Sequence, residues 1–244
     1  MPEKKVYKSF HDLSPREYMY FPKGSLEAGK TGSFSRVELT HILVSMTVLT
    51  ITFGLILSRN NVFYILVNGS LNLSILPFGI GLAFIGITTA FFFHEISHKI
   101  MAQRLGLWSE YRMFPQGLRF ALLLGLFTPI VFAAPGAVMF RGESRSYETS
   151  KIAMAGPLAN IIIATIGIVL YFSFNSFFET APFDIIISFI CYVNAFLAIF
   201  NLLPFGPLDG TKIIRGNATG WIVLLVIAIT LLMISITELP PIVF

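Results

Sequence analysis

Hydrophobic residues in this chain run in long blocks rather than in narrow amphipathic stripes. Five blocks approach the roughly 20 apolar residues that a membrane-crossing helix needs: Leu39–Leu57, Pro77–Leu105, Ile152–Phe174, Ile185–Leu203 and Trp221–Ile236. The second is apolar only as far as Phe93. It then turns polar, with His94, Glu95, Ser97, His98, Lys99, Gln103 and Arg104. Residues 59–76 carry Arg59, Asn60, Asn61, Asn68 and Asn72 and are expected to form a loop or a short interfacial element. No internal repeat is visible, whereas a transporter built from inverted repeats usually shows one.

A sixth apolar stretch, Leu118–Phe140, is ambiguous. Ala121–Phe127 is apolar enough to enter lipid, but Gly125, Pro129, Pro135 and Gly136 suit turns rather than a straight helix.

Composition sharpens this picture. Of 244 residues, 55% are hydrophobic and 12% charged, about half the charged share of a soluble domain. That excludes an ordinary soluble fold and a disordered chain. The pattern predicts an all-α polytopic membrane protein lying in the lipid bilayer of the cell membrane. The net charge of +4 comes from basic residues that form no single patch. They are read as markers of the cytoplasmic side, not as a nucleic-acid surface. Residues 1–36 are polar and mixed in charge, and because the first apolar run begins only near Leu39, a cleaved signal peptide is not expected. They are expected to be a cytoplasmic tail preceding an integral membrane domain over 37–244. Cys191 is the lone cysteine, so no disulfide framework exists within the chain.

The chemistry concentrates at His94-Glu95-Ile96-Ser97-His98. On a helix the two histidines share one face, one turn apart. Both imidazoles can then bind one zinc ion, with Glu95 beside them as general base toward an activated water. A catalytic zinc usually takes a third protein ligand. Between Ile152 and Thr211 the acidic residues are Glu179, Asp184 and Asp209. The first two flank Pro182 between predicted spans. Asp209 follows a helix broken by Pro204, Gly206 and Pro207, a geometry that lets a carboxylate bend back toward a metal.

Topology tests that choice. With the tail inside, the second span runs inward and delivers His94 and His98 to the cytoplasmic side. If Leu118–Phe140 crossed fully, Arg141, Arg145 and Lys151 would lie outside, and Asp209 would finish opposite the histidines. If it enters and returns, those cations stay inside and Asp209 meets the histidines. Five spanning helices and a re-entrant or β-hairpin element over about 111–140 are therefore predicted.

His94-Glu95-x-x-His98, Gly156-Pro157-x-x-Asn160 and Asn201-x-x-Pro204-x-x-x-x-Asp209-Gly210 together resemble the site-2 protease family of intramembrane zinc metalloproteases. The resemblance covers a core of about 77–215. It implies zinc on His94, His98 and Asp209, with Glu95 as catalytic base or acid. It also implies transmembrane protein substrates and a β-like segment that receives unwound substrate. Neither an inserted PDZ domain nor a CBS domain is expected within these 244 residues.

Asn201 and Asn160 are candidate oxyanion or substrate contacts, or equally interhelical packing residues. Gly156 and Pro157 are expected to serve close helix approach and helix initiation. His41, with Glu38 nearby, is weighed as a second metal contact against a simple interfacial role. Lys99 and Arg104 are expected to anchor their helix at the headgroups. Asn194 is expected to act as packing glue, Cys191 as a small buried residue, and Phe91-Phe92-Phe93 as lipid or core surface. Competing functions are an ion transporter using the same ligands, an inactive homologue, and a metalloprotease for prenylated proteins. The last type usually completes its site with Glu.

Overall fold

The computed structural model describes residues 31–131, 135–141, 145–174 and 182–241. The expected tail over 1–36 falls almost wholly outside the described residues, as does Glu179. The elements in order are α1 (Arg36–Leu57), α2 (Val62–Asn68), α3 (Leu76–Gly86), a π-helical turn (Ile87–Phe92) and α4 (Phe93–Arg104). They continue with β1 (Trp108–Met113), α5 (Pro115–Phe127), β2 (Gly136–Arg141), α6 (Ser146–Ser173), α7 (Phe183–Leu202) and α8 (Asp209–Thr237).

Five helical stretches are long and apolar enough to cross a membrane: Arg36–Asn68, Leu76–Arg104, Ser146–Ser173, Phe183–Leu202 and Asp209–Thr237. They match the five hydrophobic blocks. The short α2 occupies the segment expected to be a loop or interfacial element. The last helix starts twelve residues before Trp221, at Asp209 itself. It bends at Asn217, where the backbone leaves helical geometry.

The ambiguous stretch resolves as strand, short helix, strand. β1 and β2 pair antiparallel in a two-stranded sheet, with Tyr111 opposite Val138. Between them α5 runs back along α1. Gly125 lies against Thr52, and the Asn61 amide donates to the carbonyls of Gly125 and Thr128 at 3.0 and 2.6 Å. Thirteen residues of helix reach only about 20 Å, so the chain enters beside α1 and returns to β2.

α4 ends in a Schellman motif. Gly106 adopts φ +79°, and the Leu107 N–H reaches the Ala102 carbonyl at 3.0 Å. This stop sends the chain straight into β1. The main core lies between α6, α7 and α8, where Ala164, Cys191, Ala195, Ala198 and Ala228 let the helices approach closely. Cys191 is fully buried, with its sulfur against Gly167.

Pro157 departs from expectation. It lies inside α6 rather than at its start. It withholds the N–H that the Ala153 carbonyl would otherwise accept, one residue from the carbonyl that a site histidine uses.

Candidate metal centre and active site

α4 carries His94 and His98 on one face, and the loop after α7 turns back to place Asp209 on the first turn of α8. Gly210 makes that turn possible, because a Cβ there would collide with the backbone of Leu202 and Leu203. The three side chains converge. His94 Nε2 and His98 Nε2 are 3.0 Å apart, and Asp209 Oδ2 lies 3.4 and 2.9 Å from them. All three residues are buried.

Both rings are oriented from behind. His98 Nδ1 donates to the Ile152 carbonyl at 2.7 Å, and His94 Nδ1 donates to Asn160 Oδ1 at 2.6 Å. In the neutral rings both Nε2 atoms therefore present lone pairs. Two lone pairs and a carboxylate oxygen facing one another repel unless a cation lies among them. Ligand atoms about 2.0–2.1 Å from a tetrahedral zinc lie about 3.3 Å from one another, close to the spacing here. The donor set fits zinc.

Asn160 is fully buried, and its amide is committed elsewhere. Its Nδ2 donates to the Ala90 carbonyl at 2.8 Å and to Asn194 Oδ1 at 2.9 Å. Asn194 in turn donates to the hydroxyl of Thr89 at 3.2 Å. Both acceptors on this side belong to the π-helical turn before α4, a deviation frequent at functional sites. Asn160 is thus not placed as an oxyanion donor, a correction to one of its two expected roles. It holds His94. Asn194 is the packing residue expected of it.

Asn201 lines a cavity of about 210 Å³ together with His94, Glu95, His98 and Asp209. Its Nδ2 donates to the Leu197 carbonyl at 3.1 Å within α7. Phe91, Phe114, Val138, Phe140 and Phe200 make the rest of the wall largely apolar. Phe91 is therefore a wall residue, also set edge-on to Tyr111, whereas Phe93 is exposed. Glu95 is half-buried, and its Oε2 accepts the Val138 N–H at 3.1 Å.

Lys212, one turn after Asp209 on α8, donates to Asp209 Oδ1 at 3.0 Å. The carboxylate is thereby divided, one oxygen to Lys212 and the other to the histidines. The i,i+3 spacing on a helix was its sequence signal. Gly156 serves close helix approach, as expected, and what it approaches is the pair of site imidazoles. A Cβ there would strike His98 and His94.

Two expectations fail. Lys99 does not reach headgroups: it is fully buried and ion-paired with Glu38 at 2.8 Å. Glu38 is therefore not available to His41, and among the described residues the one group able to hold a metal is His94, His98 and Asp209. Arg104 is exposed, as an anchor would be.

Comparison with known proteins settles the family. The chain is 38% identical over 151 residues to a protein of Methanocaldococcus jannaschii that carries the name zinc metalloprotease MJ0611, covering 62% of this chain and 76% of that relative. The chain belongs to the site-2 protease family. Bacillus subtilis YwhC, also named as a zinc metalloprotease, is 27% identical over 190 residues, covering 65% of this chain and 83% of YwhC. Mycobacterium tuberculosis Rip3 matches at 27% over 123 residues, 50% of this chain but 27% of Rip3. No family model and no solved structure matches the chain. This site-2 protease homologue is a multi-pass membrane protein and a zinc metalloprotease.

Proposed function

We propose that this site-2 protease homologue cuts peptide bonds within or beside membrane-spanning segments of other membrane proteins, from an opening on the cytoplasmic side. One observation carries the reading: an unpaired strand edge lies against the metal centre inside a bundle of apolar helices. The Tyr111 N–H turns away from β2 to Glu38, and the Val138 N–H turns away from β1 to Glu95. This pair is therefore the non-hydrogen-bonded kind. By alternation, Gly136, Val138 and Phe140 direct their backbone groups to the outer edge of β2. No strand lies beyond it among the described residues.

A membrane-spanning substrate helix shields every peptide bond with its own hydrogen bonds and must unwind before it can be cut. An extended segment would recover those bonds by pairing with β2. The apolar cavity wall suits side chains drawn from a membrane helix. Zinc, when bound, supplies Lewis acidity and a water nucleophile of lowered pKa. His94, His98 and Asp209 hold the ion, and Asn160, Ile152 and Lys212 orient those three. Glu95 takes the proton of the attacking water and passes it to the leaving amine. Asn201 offers its amide to the developing oxyanion.

The orientation rests on charge. Arg104, Arg112, Arg119, Arg141, Arg145, Lys151, Lys212 and Arg215 all lie on segments that meet at the metal-centre end, whereas Arg59 alone among the described cations follows the other end of α1. The test is cleavage of a membrane-anchored substrate by wild type and Glu95→Gln, with zinc measured in both. Lost cleavage with equal zinc is expected. Equal cleavage by both overturns the mechanism.

A further inference from the structure

Glu95 and Lys99 lie one turn apart on α4 and grip opposite edges of the same two-stranded sheet. Glu95 holds the outer edge of β2 through the Val138 N–H. Lys99 holds the outer edge of β1, donating to the Ser109 carbonyl at 2.9 Å. Glu38, on α1, completes this second grip. Its Oε2 accepts from Lys99 at 2.8 Å, and its Oε1 accepts the Tyr111 N–H at 2.9 Å. Tyr111 is the register partner of Val138. The path from Lys99 through Glu38, Tyr111 and Val138 to Glu95 therefore closes on a single helix.

The pair is an improbable device for stability alone. Both side chains are fully buried, and desolvating two charges offsets much of their attraction. Buried ion pairs are better attested as devices that fix register. The ring of Phe34, 4.8 Å from Lys99 Nζ, helps to enclose the ammonium.

The two grips differ in what substrate does to them. A strand that pairs with β2 takes the Val138 N–H, and Glu95 must release it. The Lys99 grip lies on the far edge and is untouched. We infer that the Glu38–Lys99 pair is a positioning device that keeps the sheet in register on α4 while substrate frees Glu95 for proton transfer. Glu38 and Lys99 are thus positioning residues that decide which substrate bond lies at the metal centre. The inference rests on the strand-pairing reading above.

The test is the cut site, which a merely structural role would not move. A membrane-anchored substrate is digested by wild type, by Lys99→Arg and by the neutral pair Glu38→Gln/Lys99→Met, with products identified by mass spectrometry. Gln at 38 retains an acceptor for the Tyr111 N–H. The neutral pair is expected to keep its zinc and to lose about tenfold to hundredfold in kcat/KM, the scale of a misplaced reactant. It is also expected to spread cleavage to bonds two residues from the wild-type site, the period of strand register. Lys99→Arg should restore the single site.

An unmoved cut site with wild-type kcat/KM in the neutral pair overturns the inference, as does loss of zinc. Should the variants not accumulate, hydrogen exchange on the wild type decides. The Tyr111 amide is expected to exchange as slowly as those of α6, and fast exchange overturns the grip. Absence of any cleavage by zinc-loaded wild type would overturn the intramembrane reading itself, and this inference with it.

Discussion

Asn160 and His94 stand 66 residues apart in sequence, yet Asn160 Oδ1 accepts from His94 Nδ1 at 2.6 Å. The contact fixes the tautomer that turns the Nε2 lone pair toward Asp209. Partners of this kind behind a metal-binding histidine are typically worth about 10–100-fold in metal affinity. Asn160→Ala is therefore expected to weaken zinc binding by about that factor, measured by competition with a chromogenic chelator. Unchanged affinity would show that His94 is held by other contacts.

Gly156 sets how closely α6 passes the two histidines. A Cβ at this position would press on both imidazoles from the side, and neither ring can retreat without leaving Ile152 or Asn160. Gly156→Ala is expected to lower zinc content by about tenfold or more, as loss of ring orientation does. Helical content by circular dichroism should stay unchanged, because alanine favours helix over glycine. Full zinc occupancy in this variant would refute the steric argument.

Much of this centre was legible because charge is scarce in the chain. With three acidic residues between Ile152 and Thr211, Asp209 stood out by the prolines and glycines around it. The histidines announced themselves by helical spacing. The Lys99–Glu38 pair was not legible. An isolated lysine at the end of an apolar run has the same signature whether it reaches headgroups or a carboxylate 61 residues away. Asn160 was half legible, since a lone amide in an apolar helix reads alike for packing and for holding a ligand. The 111–140 element was readable as a return, re-entrant or β-hairpin, but the helix enclosed between the two strands was not. Its glycines and prolines say where the chain turns, and the pairing partner of β2, Trp108–Met113, begins before the apolar stretch does.

Glu110 gives the fold a pH dependence of its own. It is buried on β1, and burial pushes its carboxyl up to about 7 even with the Arg112 guanidinium beside it. Ser35 donates a hydrogen bond toward it, Lys99 adds positive charge, and the nearby Glu38 carboxylate adds to the upward push. A raised carboxyl binds its proton more tightly in the folded state. Between the ordinary 4.5 and about 7 the folded form thus holds more protons than the unfolded one. This contribution to stability falls as pH rises through that window. Glu110→Gln cannot titrate. The Tm difference, variant minus wild type, is expected to increase as pH rises across the window. A flat difference, or one of opposite sign, would refute the assignment.

The edge of β2 can be separated from its ladder with two prolines. Val138 turns its N–H outward, whereas Ala137, opposite Arg112, belongs to a hydrogen-bonded pair of the sheet. Val138→Pro is expected to raise KM for a membrane-anchored substrate by roughly tenfold, the worth of about one hydrogen bond, with zinc unchanged. Ala137→Pro removes a ladder bond and should lower Tm instead. If both variants lowered Tm and neither moved KM, the outer edge would have no part in substrate binding.

Asn201 and Asn160 carry the same side chain and should fail in different ways. Asn160 is sealed behind His94, whereas Asn201 lines the cavity beside Glu95 and Asp209. Removing one donor to a developing oxyanion typically costs about 10²–10³ in kcat. Asn201→Ala is expected to lose activity on that scale with KM and zinc affinity unchanged, because the amide touches no metal ligand and acts only as charge develops. Asn201→Asp should be no better, since it replaces the N–H donor with a negative charge facing the oxyanion. The two asparagines are then told apart by one pair of measurements, zinc affinity and kcat at full zinc occupancy. If Asn201→Ala lowered zinc affinity and restored kcat once zinc was saturating, Asn201 would belong with Asn160 behind the metal ligands. The oxyanion would then have to be met by another donor in the cavity.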